Sequence, residues 1–187
     1  MASSANHALI VIDMQRAFID PDGRLAVPGA DRVVEAVNRR VEDAVGAGSP
    51  IYYTRDIEPV ELPEGDPDGQ AELHPDLEVR GEVVPKGPGR FGGFSGFVLF
   101  GAGVGQPGSG GLSPLADLLR ASGAETVTVV GLAGDVCVAS TARDALRLGY
   151  RVRVDLEATA FVHAHPGGDA GAVSELRDAG VEVVGSL

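Results

Sequence analysis

The chain has 187 residues, enough for one domain with a full hydrophobic core and too few for two comfortable ones. Its formal charge of -12 repels nucleic acid and anionic membrane surfaces at long range, which excludes both as partners and leaves a small molecule. A lone cysteine forms no internal disulfide and no run reaches the roughly 18 apolar residues of a membrane span, so a cytoplasmic protein is expected.

The first predicted element is "HALIVID", residues 7–13, a continuous branched apolar run that reads as a strand buried on both faces and ends in an acid. Its apolar part, Ala8 to Ile12, is shorter than a signal-peptide core. In "DRVVEAVNRRVEDAVGAG", residues 31–48, Val33, Val34, Val37, Val41 and Val45 recur at helical spacing and glycines close the run, which predicts an amphipathic helix. "PIYYTRD", residues 50–56, predicts a second buried strand, again ending in an acid. From Asp56 to Val83 the chain is rich in Pro, Gly and acids, "EVVP" at 82–85 gives a short strand, and from Gly87 to Gly111 glycine dominates. Both irregular stretches are read as long loops, a place where function often resides. Helices are predicted at 113–122, 136–149 and 167–180, and strands at 126–132, 151–157 and 181–185. Strands alternating with helices need crossover connections. The fold class is therefore α/β: one domain over residues 1–187, an open and mainly parallel sheet with helices on both faces.

In open α/β sheets the ligand lies outside the carboxyl ends of the strands. Asp13, Asp56 and the "GLAGDVC" turn all fall at such ends, so three distant segments converge on one rim. Cys137 follows a strand and a turn, at the start of the helix predicted to run to about Leu148. Unpaired N–H groups and the helix dipole favour a thiolate there, whereas a free cysteine without that context is a small buried hydrophobe. Asp135 is read as the N-cap of the same helix. Asp13 closes an apolar run where an unpaired carboxylate is costly, and both a proton shuttle and an ion-pair partner are open to it. Lys86 sits at a strand end, where a cation lowers the pKa of a neighbouring thiol, although a lone lysine is ordinarily a solvated surface residue. His163 and His165 in "HAH" would share one face of a strand and bind metal, or form a polar loop. "GAGVGQPGSGG", residues 101–111, lacks the strand-turn-helix context and following acid of a dinucleotide loop and reads as an exposed connection.

Together, "ALIVIDMQRAFIDPDGRLAVPGA", "HPDLEVRGEVVPKG", "FSGF", "VVGLAGDVCVASTARDALRLGY" and "LRDAGVEVV" resemble the nicotinamidase/pyrazinamidase branch of the isochorismatase-like cysteine hydrolases, in the family's order and over most of the chain. The resemblance implies a catalytic Asp13, Lys86 and Cys137, and a cis peptide at Leu132-Ala133 that aims the N–H groups of Ala133 and Cys137 at an oxyanion. It implies that Phe18, Leu25, Phe94 and Leu132 contact the substrate, a small carboxamide, with nicotinamide favoured. Family nicotinamidases hold a divalent ion with an Asp-x-His and later histidines. Here Asp56 remains, but Glu58 stands in place of the first histidine, the Trp-Pro-x-His-Cys element is missing, and His74 belongs to the stretch after the metal loop. The expectation is either a weak oxygen-ligand site for a divalent ion at Asp56 and Glu58, or no required cofactor. The other readings are a hydrolase of another amide (maleamate-, carbamoyl- or natural-product-type) and a noncatalytic binding member of the fold. A homo-oligomer is compatible with all of them.

Overall fold

The structure, a computed structural model, describes residues 6–101, 104 and 111–187. In chain order its regular elements are β1 (His7–Ile12), α1 (Arg16–Ile19), α2 (Ala30–Ala47), β2 (Ile51–Asp56), β3 (Glu82–Lys86), α3 (Pro114–Ser122), β4 (Thr126–Leu132), α4 (Ala139–Arg147), β5 (Arg151–Ala160), α5 (Gly168–Ala179) and β6 (Glu182–Val184). The strands form one parallel sheet in the order β3-β2-β1-β4-β5-β6. The chain steps from β1 outward through β2 to β3, then returns to β4 on the other side of β1. That reversal opens a crevice at the carboxyl ends of β1 and β4.

Side-chain alternation fixes the layers. Ala8, Ile10 and Ile12 of β1 pack with Leu115 and Leu119 of α3, Ala142 of α4 and Leu176 of α5, while Leu9 and Val11 pack with Val33, Val34, Val37 and Val41 of α2. Both faces of the sheet are thus covered, as the continuous apolar strands require. Val45, counted in the predicted stripe of α2, lies one turn further on and is 50% exposed.

Strand and helix positions follow the sequence reading apart from three departures. The predicted strand at 151–157 continues to Ala160, because register partners pass from Val129↔Val154 to Gly131↔Thr159 and β5 bulges. The odd number of extra residues turns the strand over, so that Leu156 packs on the α3–α5 side and Ala158 and Ala160 on the α2 side. The helix predicted from residue 136 begins as a single π turn, Gly134–Val138, before α4 starts at Ala139. The four-residue α1 is too short to show periodicity. The exposed connection read at 101–111 lies outside the described residues except for Gly101, Val104 and Gly111. No helix among the described residues is long and apolar enough to cross a membrane.

Candidate active site at the carboxyl rim

Asp13 is the first residue beyond β1 and adopts φ 47, the left-handed region that an aspartate tolerates better than a branched residue would. Thr54 holds it there: its Oγ1 donates to Asp13 Oδ1 at 2.7 Å, and the Asp13 N–H reaches Thr54 O at 3.2 Å. Lys86 ends β3, two strands from β1 and hence roughly 10 Å away in the sheet, a gap only a long side chain spans. Its Nζ crosses the end of β2 to lie 2.9 Å from Asp13 Oδ2, 3.6 Å from Asp56 Oδ2 and 3.4 Å from Cys137 Sγ. Cys137 comes from the π turn after β4. The structure therefore brings Asp13, Lys86 and Cys137 together from three strand ends.

All three are buried, Asp13 and Lys86 completely. A buried ammonium needs its donors satisfied. Lys86 donates to Phe94 O at 2.9 Å and Gly93 O at 3.4 Å, and this loop is latched in turn: Gly96 N donates to Thr141 Oγ1 at 2.9 Å and Ser113 Oγ donates to Gly96 O at 2.6 Å. Asp13 Oδ2 meets the Lys86 ammonium at 2.9 Å and has no further hydrogen-bond donor among the described residues. A carboxylate oxygen with an open lone pair therefore faces the cluster that holds the sulfur.

Burial pushes the Cys137 thiol well above its ordinary value; Lys86 opposes this, and the negative charges of Asp13 and Asp56 reinforce it. Burial and the two flanking carboxylates thus oppose the thiolate that a helix start and Lys86 favour. Burial alone would lower the Lys86 ammonium, but Asp13, Cys137 and Asp56 together hold it above its usual range. Burial also raises Asp56, against Lys86, with Asp13 adding to the rise.

The tentative metal pair does not form a site. Asp56 is buried and its Oδ1 accepts the N–H groups of Glu58 and Gly89, each at 3.0 Å, while Oδ2 faces Lys86. A Cβ on Gly89 would come within 2.2 Å of Oδ2, so the carboxylate is boxed in by backbone. Glu58 turns outward, 54% exposed, with Arg90 Nε at 3.9 Å. Among the described residues no group of three or more His, Cys, Asp or Glu could hold a metal ion. The donors present do not fit the ion that the resemblance implied. His74 pairs with Asp20 at 3.4 Å. His163 and His165 turn to different partners, Asp169 and Glu175, each at 2.9 Å, and share no ligand position.

Of the expected substrate contacts, Phe18, Leu25 and Phe94 are partly buried, and the Phe94 carbonyl is the one that binds Lys86. Leu132 is a correction: its side chain is 1% exposed and packs on the α2 side of the sheet, since even-numbered residues of β4 face that way. Its place at the rim is backbone only, at the Leu132-Ala133 bond, which is cis. Asp135 is a second correction. It caps no helix N–H; its oxygens accept Val162 N at 3.0 Å and Ala164 N at 2.6 Å. Thr54 and Gln15 were missed. Gln15 accepts the Asp56 N–H at 2.9 Å and donates to Asp56 O at 3.0 Å, extending the β1–β2 ladder with a side chain and fixing where β2 ends. The available signal was a polar residue inside or just beyond a predicted buried strand. A cleft of about 580 Å³ lined by Arg55, Glu58, Leu62, Arg90 and Phe91 lies beside this rim, outside the Cys137 cluster.

Residues 7–186 match the isochorismatase domain. The chain is 34% identical over 193 residues to the nicotinamidase/pyrazinamidase of Mycobacterium tuberculosis, covering 95% of this chain and 97% of that protein. Among solved structures it resembles the pyrazinamidase of Pyrococcus horikoshii in complex with zinc, with a TM-score of 0.76, 28% identity, and 97% and 99% of the two chains covered. It also resembles PnC1 from L. infantum in complex with nicotinate, with a TM-score of 0.76, 29% identity, and 97% and 93% covered. A parallel six-stranded sheet, a cysteine on the turn after β4 and a match along nearly the whole chain lead to one conclusion: the protein belongs to the isochorismatase family.

Proposed function

We propose that the protein hydrolyses a small carboxamide to a carboxylate and ammonia through a thioester on Cys137, with nicotinamide as substrate and nicotinate as product. The observation that carries this is the buried cluster in which Lys86 Nζ lies 2.9 Å from Asp13 Oδ2 and 3.4 Å from Cys137 Sγ. Asp13, through Oδ2, takes the thiol proton as Cys137 adds to the amide carbon. Lys86 stays charged and balances the anion that forms beside it. The N–H groups of Ala133 and Cys137 stabilise the tetrahedral oxyanion. Asp13 returns the proton to the departing nitrogen, and ammonia leaves. Water, deprotonated by Asp13, then opens the thioester, which frees the acid and restores the thiol. Phe18, Leu25 and Phe94 line the substrate ring. The complex of PnC1 with nicotinate and the identity to a nicotinamidase/pyrazinamidase support this substrate.

A second substrate is favoured by one observation: Glu58, which stands in place of a metal-binding histidine, turns outward at the edge of the rim with Arg90 3.9 Å away, so the group recognised there can differ from a pyridine nitrogen. Ammonia release from nicotinamide, pyrazinamide and a panel of maleamate- and carbamoyl-type amides separates the two. Cys137→Ala should abolish release, by about 10⁴-fold or more; release that survives the substitution removes Cys137 as nucleophile.

A further inference from the structure

We infer that Asp135 is a positioning residue: its carboxylate clamps the Cys137 turn onto the segment leaving β5, and so sets how the sulfur and the oxyanion N–H groups meet the substrate carbonyl. This deepens, and rests on, the amidase reading above.

Both oxygens of Asp135 are used, Oδ1 by Val162 N at 3.0 Å and Oδ2 by Ala164 N at 2.6 Å. Hydrogen bonds to an ionised carboxylate are roughly twice as strong as neutral ones. In an extended chain N–H groups two residues apart lie about 6.6 Å from each other, too far for one carboxylate. His163, between the two donors, adopts φ 58 and folds the segment back into a small anion-binding concavity. That segment is itself braced, since His163 and His165 pair with Asp169 and Glu175 of α5. Immediately before Asp135, Gly134 lies on the Phe161 ring so closely that a Cβ would meet ring carbons at 2.7 Å. Two successive residues of the nucleophile turn therefore rest on one braced plate: Gly134 sets its distance and Asp135 its orientation.

The other hydrogen bonds of the turn run elsewhere. Val136 and Val138 both donate to Ala133 O at 3.1 Å, within the turn, and Thr141 Oγ1 donates to Cys137 O at 2.7 Å from α4. Among the described residues, Asp135 is the only side chain of the turn that hydrogen-bonds to the exit of β5. Displacing a catalytic group by about 1 Å costs on the order of 10²-fold in rate.

The test compares wild type, Asp135→Ala and Asp135→Asn on nicotinamide and on the corresponding aldehyde. The aldehyde adds the Cys137 sulfur to its carbonyl carbon; the thiol proton passes to the oxygen, which lies where the oxyanion forms. Asp135→Ala should lower kcat about 10- to 100-fold while KM moves less than about 3-fold, and aldehyde affinity should fall by a factor comparable to that in kcat. Asp135→Asn, which keeps one acceptor oxygen for Val162, should recover part of both. A kcat within twofold of wild type overturns the inference. So does a loss explained wholly by fewer molecules with a titratable Cys137, the remainder binding aldehyde normally, because that marks a merely structural residue. If wild type releases ammonia from no amide, the amidase reading falls instead. Positioning is then read from iodoacetamide alkylation of Cys137 at fixed pH, where an Asp135→Ala rate equal to wild type overturns it.

Discussion

Two pairs of opposite charge lie within a few residues of each other, and they are built differently. Lys86 and Asp13 are fully buried at 2.9 Å, with a second acid, Asp56, at 3.6 Å and backbone carbonyls filling the remaining donors. Glu58 and Arg90 meet at 3.9 Å on the rim with side chains 54% and 36% exposed. In the first pair the charges were taken out of water at a cost that only their mutual placement offsets, so none can be changed alone. In the second, water screens the pair and Glu58 can be exchanged at small cost, while Arg90 also donates to the Leu62 carbonyl. Chemistry is fixed where the charges are dry, and recognition can drift where they are wet.

The largest expected effect comes from breaking the dry pair. Lys86→Met leaves Asp13 and Asp56 buried without their shared cation, and should cost about 3–5 kcal/mol of stability in urea unfolding. Turnover should drop by about 10³-fold through loss of the charge that balances the reacting centre. Glu58→Gln, by contrast, should change stability by less than about 1 kcal/mol. Equal losses at the two positions would show that burial does not separate them.

A smaller effect sharpens the same contrast through pH. The Cys137 thiol is raised from an ordinary value of 9.0 by burial, so the folded protein keeps that proton after the unfolded chain has lost it. Stability from this group is whole below pH 9.0 and is lost as pH rises above it. Lys86, raised from 10.5, adds a loss of the same sign beginning at higher pH. Alkaline unfolding should therefore set in from about pH 9, and iodoacetamide labelling of the free protein should still be accelerating there. A labelling rate that levels off near neutrality would mean the resting sulfur is a thiolate after all, the state its position in the sequence suggests.

That contrast also marks what could be read in advance. Apolar runs such as Ala8 to Ile12 declare buried parallel strands, and a polar group at the end of a run points to the rim, but the joining of Asp13, Lys86 and Cys137 into one set came from the family resemblance, since local pattern alone leaves a lone lysine on the surface. Thr54 and Gln15 were not, because their partners lie 41 residues away and only the strand register makes them neighbours. Leu132 was misread for the same reason: which side of β4 it faces depends on the sheet, not on its distance from Cys137. The upward pull on the Cys137 thiol comes from burial and from two carboxylates on other strands, neither of which shows in the residues around it. Asp135 looks like a cap in sequence and is a tether in space.

The last expected effect is no effect. Asp56 spends Oδ1 on two backbone N–H groups and turns Oδ2 toward Lys86, and Glu58 points to solvent beside Arg90, so no set of donors converges on a common point between them. A harder ion held by oxygen alone would have to pull Asp56 out of a box whose wall, Gly89, already leaves no room for a Cβ. Dialysis against EDTA should therefore leave ammonia release unchanged, and added zinc or manganese should not raise it. If activity collapses on chelation and one of these ions restores it, Asp56 must swing outward in the working enzyme. Lys86 would then have lost its second anion, and the wet edge of the rim would be part of the dry centre.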